Sequence, residues 1–317
     1  MGAGVRGATN RPSRRPGRAR LLGWLLLVAL PWSWYLFRNG GGPVQVISLV
    51  IPPVAAACLF LFVIVAAVRR NLLALLPAVS VAAFVVVAVF QPKMGEASPA
   101  PVNPLRIASA NVFGHNDDPK GAVAALRSQR ADVVVVVESP RDLTRLLESR
   151  DHQHTSWVVS DELALGSDFP ARMLALPQPL DPVRVMRVLV DRPGAPFVVY
   201  VLHDLNPLSD QSWTRQLNFD RSLRDAALRE HLPVVLIGDF NLSDRTEGYR
   251  LLNSAFRDAM RAGHGAGDTY RDGIWRLFFL RVDHVFTSTS WCAEDPKTFD
   301  VPGSDHQGIA VTTGPCP

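Results

Sequence analysis

Pro233-Val-Val-Leu-Ile-Gly-Asp-Phe-Asn241 decides the fold. Val234 to Ile237 is an apolar run and reads as a buried strand. Polar groups then appear abruptly at its C-terminal end, in Gly238-Asp239-Phe240-Asn241. On an extended chain a carboxylate and an amide two residues apart point the same way. Gly238 lets another backbone or a substrate come close. A site built on a rigid edge needs such a pair: an acceptor to orient a water and a neutral donor to meet developing negative charge. An ordinary Asp-x-Asn turn after a strand has the same appearance, so the rest of the chain has to decide.

Charge is unevenly spread over the 317 residues. No Asp or Glu precedes Glu96, whereas ten of the 33 basic residues do. From Glu96 onward the chain carries 23 basic and 29 acidic residues, a net charge of −6. That part lacks the broad basic footprint of a nucleic-acid binder, although a local basic patch stays open. Cys58 lies in an apolar run, and Cys292 and Cys316 fall in the acidic part. No Cys/His spacing suggests zinc. Outside the cytoplasm Cys292 and Cys316 would pair as a disulfide; two free thiols are the other reading.

The first third reads as membrane-embedded. Residues 1–20 are rich in Arg, Pro and Gly and form a disordered basic tail. Three uncharged apolar runs follow, Leu21–Phe37, Pro43–Val68 and Leu72–Phe90. A spanning helix needs about 20 such residues. The first run is short and contains Pro31, but Trp24, Trp32, Trp34 and Tyr35 suit an interfacial belt. A signal peptide would explain that run alone, yet it lacks a small-residue cleavage site. Three spanning helices are expected. The arginines of residues 1–20 stay in the cytoplasm, Arg69-Arg70 forms an inner loop, and the remainder faces outside. The expectation is a multi-pass plasma-membrane protein with an extracytoplasmic domain. Residues 91–104 form a Pro-rich linker of at most ~50 Å. A transporter is disfavoured, because the runs hold no intramembrane charge.

Residues 105–317 alternate strands and helices. Strands are expected at Leu105–Phe113, Asp132–Val137, Ser156–Ser160, Arg172–Leu176, Val183–Val190, Phe197–Leu202, Arg281–Thr287 and Gln307–Thr312. Helices are expected at Pro119–Gln129, Ser139–Arg150, Gln211–Glu230 and Thr246–Leu252. Asn111, Glu138, His203, Asp239, Asn241, Asp283, Asp305 and His306 each sit at or beside a strand end. The order implies an α/β (α+β) fold, a four-layer sandwich of two packed mixed sheets flanked by helices.

These residues resemble the endonuclease/exonuclease/phosphatase superfamily, which has a DNase I-like fold. The likeness rests on Ser109-Ala-Asn-Val112, the strand ending in Glu138, Val201-Leu-His203, Gly238-Asp-Phe-Asn241, Arg281-Val-Asp-His-Val-Phe286 and Ser304-Asp-His306. Together with the apolar N-terminal third they look like a membrane-anchored bacterial branch that includes membrane proteins associated with teicoplanin resistance.

The resemblance implies hydrolysis of a phosphate ester dependent on Mg²⁺, with Mn²⁺ as the alternative. Glu138 is the best ligand candidate, with Asn111 beside it and Asp305 as a further one. Carboxylate and amide oxygens suit that ion. As a purely structural residue, Glu138 would stabilise the start of the following helix. Asp239 would activate the attacking water and Asn241 would donate to a phosphoryl oxygen. His203 and His306 would flank the phosphate, and Asp283 would fix the tautomer of His306. His284 alternates to the other strand face and reads as structural; His115, His152, His154, His231 and His264 read as solvated. The acidic partner of His203 stays open among Asp161, Glu162 and Asp168, and Arg172 is either a phosphate contact or an exposed arginine. The substrate is a lipid phosphate or a nucleic acid, lipid reaches the chain through the three helices, and no protein partner is inferred. An exported nuclease is the second reading, and an inactive anchored sensor the third.

Overall fold

The computed structural model describes residues 18–317 apart from 41–42, 71, 141–142, 144, 148–153, 182, 207–209 and 264–266. Most of the tail at residues 1–20, much of the helix expected at Ser139–Arg150, and His152 and His264 therefore lie outside the described residues.

Two six-stranded mixed sheets form the C-terminal part. The first runs β11 (Trp291–Asp300), β12 (Gln307–Pro315), β1 (Leu105–Asn111), β2 (Val133–Val137), β4 (Leu163–Ser167), β3 (Ser156–Ser160). The second runs β5 (Ala171–Met173), β6 (Val185–Val190), β7 (Phe197–His203), β8 (Val234–Asp239), β10 (Asp283–Thr287), β9 (Arg257–Asp258). The inner faces meet through side chains such as Ile107, Val133, Val135 and Leu165 against Val188, Val199, Val235 and Val285. Helix α4 (Pro119–Ser128) covers the outer face of the first sheet. Helices α5 (Asp210–Leu228) and α6 (Glu247–Asn253) cover the second. Strands covered on both faces must be apolar at every position, which is why Val133–Val137 and Val234–Ile237 do not alternate.

Parallel pairing occurs only at β1–β2 and β7–β8 among the described strands. Their four C-terminal ends, at Asn111, Val137, His203 and Asp239, thus emerge at one edge. Antiparallel β10 begins beside them, with Asp283 opposite Asp239.

Three strands escape the sequence pattern: β4, the two-residue β9 and β11. β4 contains Ala164 and Gly166, which favour strands weakly. Gly166 is needed because a Cβ there would lie 2.7 Å from the Trp157 ring. β11 is polar, contains Pro296, and shifts register between Glu294 and Lys297, as an edge strand can. Cys292 and Cys316 form a disulfide.

The apolar third folds as α1 (Arg18–Phe37), α2 (Pro43–Arg69) and α3 (Leu75–Val85), the last continuing through a π-helical turn at Val86–Phe90. Two helices are long and apolar enough to cross a membrane, Val44–Arg69 and Leu75–Lys93. The described apolar stretch of α1, Leu22–Phe37, is shorter. Among the described residues, two of the three expected spans thus correspond to helices of sufficient length and apolarity. The stretch 91–104 is not a free tether either. Glu96 N–H donates to the Arg261 carbonyl, Val102 N–H to that of Pro315, and Arg192 donates to those of Asn103 and Pro104.

One buried side chain ties α2 to the sheets. Pro52 has no N–H to offer the Ser48 carbonyl one turn back. Arg245, 1 % exposed, supplies the missing donor from Nε at 2.8 Å. Its Nη1 and Nη2 donate to the Phe279 and Phe278 carbonyls at 3.3 and 2.8 Å. Gln45 Oε1 accepts the Glu247 N–H of α6, and Arg250 donates to the Arg38 carbonyl. Replacing Arg245 with Met would leave the buried Ser48 carbonyl without this donor and remove one from the part-buried Phe278 and Phe279 carbonyls, the latter keeping Lys93 Nζ at 2.9 Å. A buried acceptor that finds no water costs about 1–3 kcal/mol. We expect Arg245→Met to lower the Tm of the full chain in detergent by several degrees; an unchanged Tm would show that the joint carries no stability.

Candidate active site

Gly238 sets the geometry. Its φ of 137° is open to glycine, and a Cβ there would lie 2.2 Å from the Leu202 carbonyl oxygen. The close approach brings His203 opposite Asp239 across β7–β8, while Asp283 lies opposite Asp239 across β8–β10. Asp239 is 1 % exposed. Its Oδ1 accepts the Asn241 N–H at 2.8 Å and its Oδ2 accepts Asn111 Nδ2 at 3.1 Å, across the two sheets. The chain after Asp239 is therefore a tight turn rather than an extended strand. Asn241 takes a φ of 50°, and its Nδ2 donates to the Asp204 carbonyl at 2.9 Å. Asp-x-Asn is a turn, and Asp239 and Asn241 both line the cleft.

Glu138 follows β2 with a φ of 54°. Its Oε2 accepts the Gly114 N–H at 3.1 Å, and its Oε1 accepts Asn111 Nδ2 at 2.8 Å. His203 Nε2 lies 3.3 Å from that same Oε1. Glu162 is the acidic partner of His203, hydrogen-bonded at Nδ1; Asp161 and Asp168 are not. Opposite, His306 Nδ1 pairs with Asp283 Oδ2 at 2.9 Å, and its Nε2 faces Asp239 Oδ2 at 3.8 Å. Ser304 steadies this corner by donating to the Asn111 carbonyl and accepting the His306 N–H.

All eight residues singled out in the sequence come together at this edge. Asp305 is half-buried on the cleft wall with Tyr270 as its partner, outside the groups whose ligand atoms converge. Glu162, one of three candidates left open, also lines the cleft, as do Arg184 and Asp204, which the sequence reading did not name; the cleft has a volume of about 490 Å³. Arg172 is exposed on β5 and is not among the cleft-lining residues. His115 and His231 are exposed as expected, but His154 is buried, with Nε2 on the Ala131 carbonyl at 3.0 Å. His284 is structural: fully buried, it bonds the Leu242 carbonyl at 2.7 Å.

Burial pushes the Asp239 carboxyl up and the Asp283 charge adds to that, against His306 and His203. Burial would lower His306, but Asp283 and Asp239 outweigh it and raise the imidazole to about 10. His203 is raised likewise by Asp239, Glu162 and Glu138 against burial. Two imidazoles are thus held toward the charged form by surrounding carboxylates.

A divalent cation fits this donor set. One atom each from Glu138, His203 and Asp239 lies within 4.8 Å of the others. The positive ends of the Asn111 amide and the His203 ring both converge on Glu138 Oε1, where a cation would sit. Asp244, Asp258 and His284 form a similar cluster deeper in, but there Arg281 already fills the cation's place, 2.5 Å from Asp258.

Residues 108–306 match the model of the Endonuclease/Exonuclease/phosphatase family. The match spans more than half of the chain, and the chain belongs to this family. Solved structures share its fold. A humanised D. rerio TDP2 is 16 % identical with a TM-score of 0.55, over 67 % of this chain and 100 % of that one. A 3′ phosphatase NExo from Neisseria, bound to a product DNA hairpin, is 19 % identical with a TM-score of 0.51, over 65 % and 98 %. An endonuclease/exonuclease/phosphatase from Beutenbergia cavernae is 19 % identical with a TM-score of 0.50, over 67 % and 72 %. No curated protein matches the chain. Family membership makes the chain a metal-dependent phosphoester hydrolase.

Asp204 gives the site a pH signature. Burial raises its carboxyl to about 7, against the Leu205 N–H and the Arg184 guanidinium. The unfolded value is about 3.9. The fold therefore holds a proton that the unfolded chain releases, and this stability is present below about pH 4 and lost as pH rises toward 7. Asp204→Asn keeps an acceptor for Leu205, and we expect it to shrink the fall in Tm between pH 5 and 8. A variant whose Tm tracks the parent across that range would refute the assignment.

Proposed function

We propose that the chain is a membrane-anchored, extracytoplasmic, Mg²⁺-dependent hydrolase that removes phosphate from a lipid carrier, cleaving an ester or a pyrophosphate. The observation that carries this reading is the cleft wall itself. Leu49, within α2, lines the same cleft as Glu138, His203 and Asp239. A site partly walled by an apolar helix long enough to span a bilayer opens where lipid headgroups lie.

Other features support the anchor. The most apolar window of α2 is only 22 % buried, unlike the core helix of a soluble protein. Arg38, Gln45 and Lys93, at the ends of the three helices, all contact the C-terminal part, while Arg69 lies at the far end of α2. That arrangement agrees with arginines held inside and the domain outside. The disulfide suits an oxidising compartment.

Glu138, with Asn111 beside it, would hold the ion, which would supply charge stabilisation to the phosphoryl oxygens, with Asp305 on the cleft wall apart from it. Asp239 would accept the proton of the attacking water. The bond from that oxygen to phosphorus forms as the bond to the leaving oxygen breaks. Asn241, held by its Asp204 contact, would donate to a phosphoryl oxygen. His306, oriented by Asp283, and His203, oriented by Glu162, would face the phosphate as donors and protonate the leaving oxygen. The twinned carboxylate–imidazole pairs keep each Nε2 aimed into the cleft.

The test uses the full chain in detergent with Mg²⁺, beside Asp239→Ala and Glu138→Ala. Phosphate release from a polyprenyl pyrophosphate and nicking of supercoiled plasmid are measured with and without chelator. Each variant should lose at least about 100-fold in lipid turnover while still unfolding in one cooperative thermal transition. Nicking alone would make the chain an exported nuclease, and neither activity would favour an anchored sensor.

A further inference from the structure

Residues 271–280, Arg-Asp-Gly-Ile-Trp-Arg-Leu-Phe-Phe-Leu, join the cleft to α2 and have no role in the hydrolysis. Gly273–Phe278 forms a 3-10 turn that ends at Phe279 with a φ of 50°. The turn divides its side chains between two directions. Trp275 and Phe278 pack inward on the cluster of Leu49, Trp213, Leu280 and Val282. Ile274 is 69 % exposed, Leu277 58 % and Phe279 42 %. Three large apolar side chains exposed within six residues form an unusual patch for a soluble surface.

The height of this patch along α2 can be read from Arg245, which bonds Ser48 on α2 and both Phe278 and Phe279 on the turn. Ser48 is the sixth residue of α2, about 8 Å along its axis from Pro43. Interfacial apolar side chains bury to about 5–10 Å, so the turn lies at the boundary between headgroups and acyl chains if α2 spans. Val46 and Ile47 of α2, 41 % and 48 % exposed, present apolar surface at that level. Arg271 and Arg276 are exposed on the same turn and suit anionic headgroups. Trp275 also lines the cleft, so the patch is continuous with the catalytic mouth.

We propose that Gly273–Phe279 is a membrane-inserting wedge. Ile274, Leu277 and Phe279 enter the phospholipid leaflet on the domain's side and hold the cleft mouth open to it. A phosphate on a lipid then enters sideways from the bilayer, past Trp275 and Leu49, without leaving the membrane. This deepens the lipid-carrier reading of the preceding section and rests on it.

Two measurements on the full chain in phosphatidylcholine/phosphatidylglycerol vesicles test the wedge. In a Cys58→Ala background, Leu277→Cys carries an environment-sensitive fluorophore. Emission should shift to the blue and be quenched by lipids brominated high on the acyl chain, not by aqueous iodide. Leu228→Cys, exposed on α5 about 22 Å along the helix from Trp213, should stay in water. Iodide quenching at Leu277→Cys equal to that at Leu228→Cys would overturn the proposal. This readout needs no turnover, so it stands even if the chain cleaves no lipid. In the second measurement, Ile274→Asp/Leu277→Asp should cleave a soluble aryl phosphodiester like the parent. Release of phosphate from vesicle-borne polyprenyl pyrophosphate should fall at least tenfold. Equal cleavage of the lipid by parent and variant would sink the wedge and leave the lipid phosphatase intact.

Discussion

Asp239 is the constraint on which the site depends. A carboxylate with 1 % exposure is costly unless donors and opposite charges meet it. Here the Asn241 N–H, the Asn111 amide and the His306 and His203 imidazoles do so, and each comes from a different part of the chain. Asn111 comes from the first sheet and His203 from the second, so the buried charge also locks the two sheets together at their shared edge. Satisfying one carboxylate assembles the constellation a phosphoester hydrolase needs.

The backbone pays for this arrangement in strain. Phe113, Glu138 and Asn241, at φ of 62°, 54° and 50°, all take the left-handed conformation around one cleft. Each costs on the order of 1–3 kcal/mol and persists only where surrounding packing over-determines it. The buried strands β2 and β8, and β1, buried at all but Arg106, precede these residues and supply that packing. Strain gathered at the functional edge and absorbed by apolar strands behind it turns Glu138 and Asn241 into the cleft.

Much of this was legible in the sequence because a doubly covered strand is apolar until it ends. Asn111, Glu138, His203 and Asp239 each broke such a run, so their places at strand ends could be read directly. Glu162 could be named only as one of three candidates. It sits in the turn between β3 and β4, and only the packing of one sheet on the other brings it to His203. Asn241 was placed in the right site for an incomplete reason, since the turn made by Asp239 Oδ1 reorients it. The course of the linker was not legible either. Pro-rich composition suggests a tether, but hydrogen bonds from distant residues fix residues 96–104 along the domain.

The joint between helices and sheets follows from a missing hydrogen bond. A proline inside a helix frees the carbonyl one turn back, and a buried carbonyl needs another donor. Pro52 does this to Ser48, and a guanidinium from the domain answers it. Arg245 has donors in a fixed fork, so meeting Ser48 also commits it to the Phe278 and Phe279 carbonyls. The defect in α2 thereby sets the position of the turn at the cleft mouth. A lysine could satisfy one carbonyl but not hold three in register. The distance between the helix and the catalytic edge is thus written into one proline and one arginine, 193 residues apart.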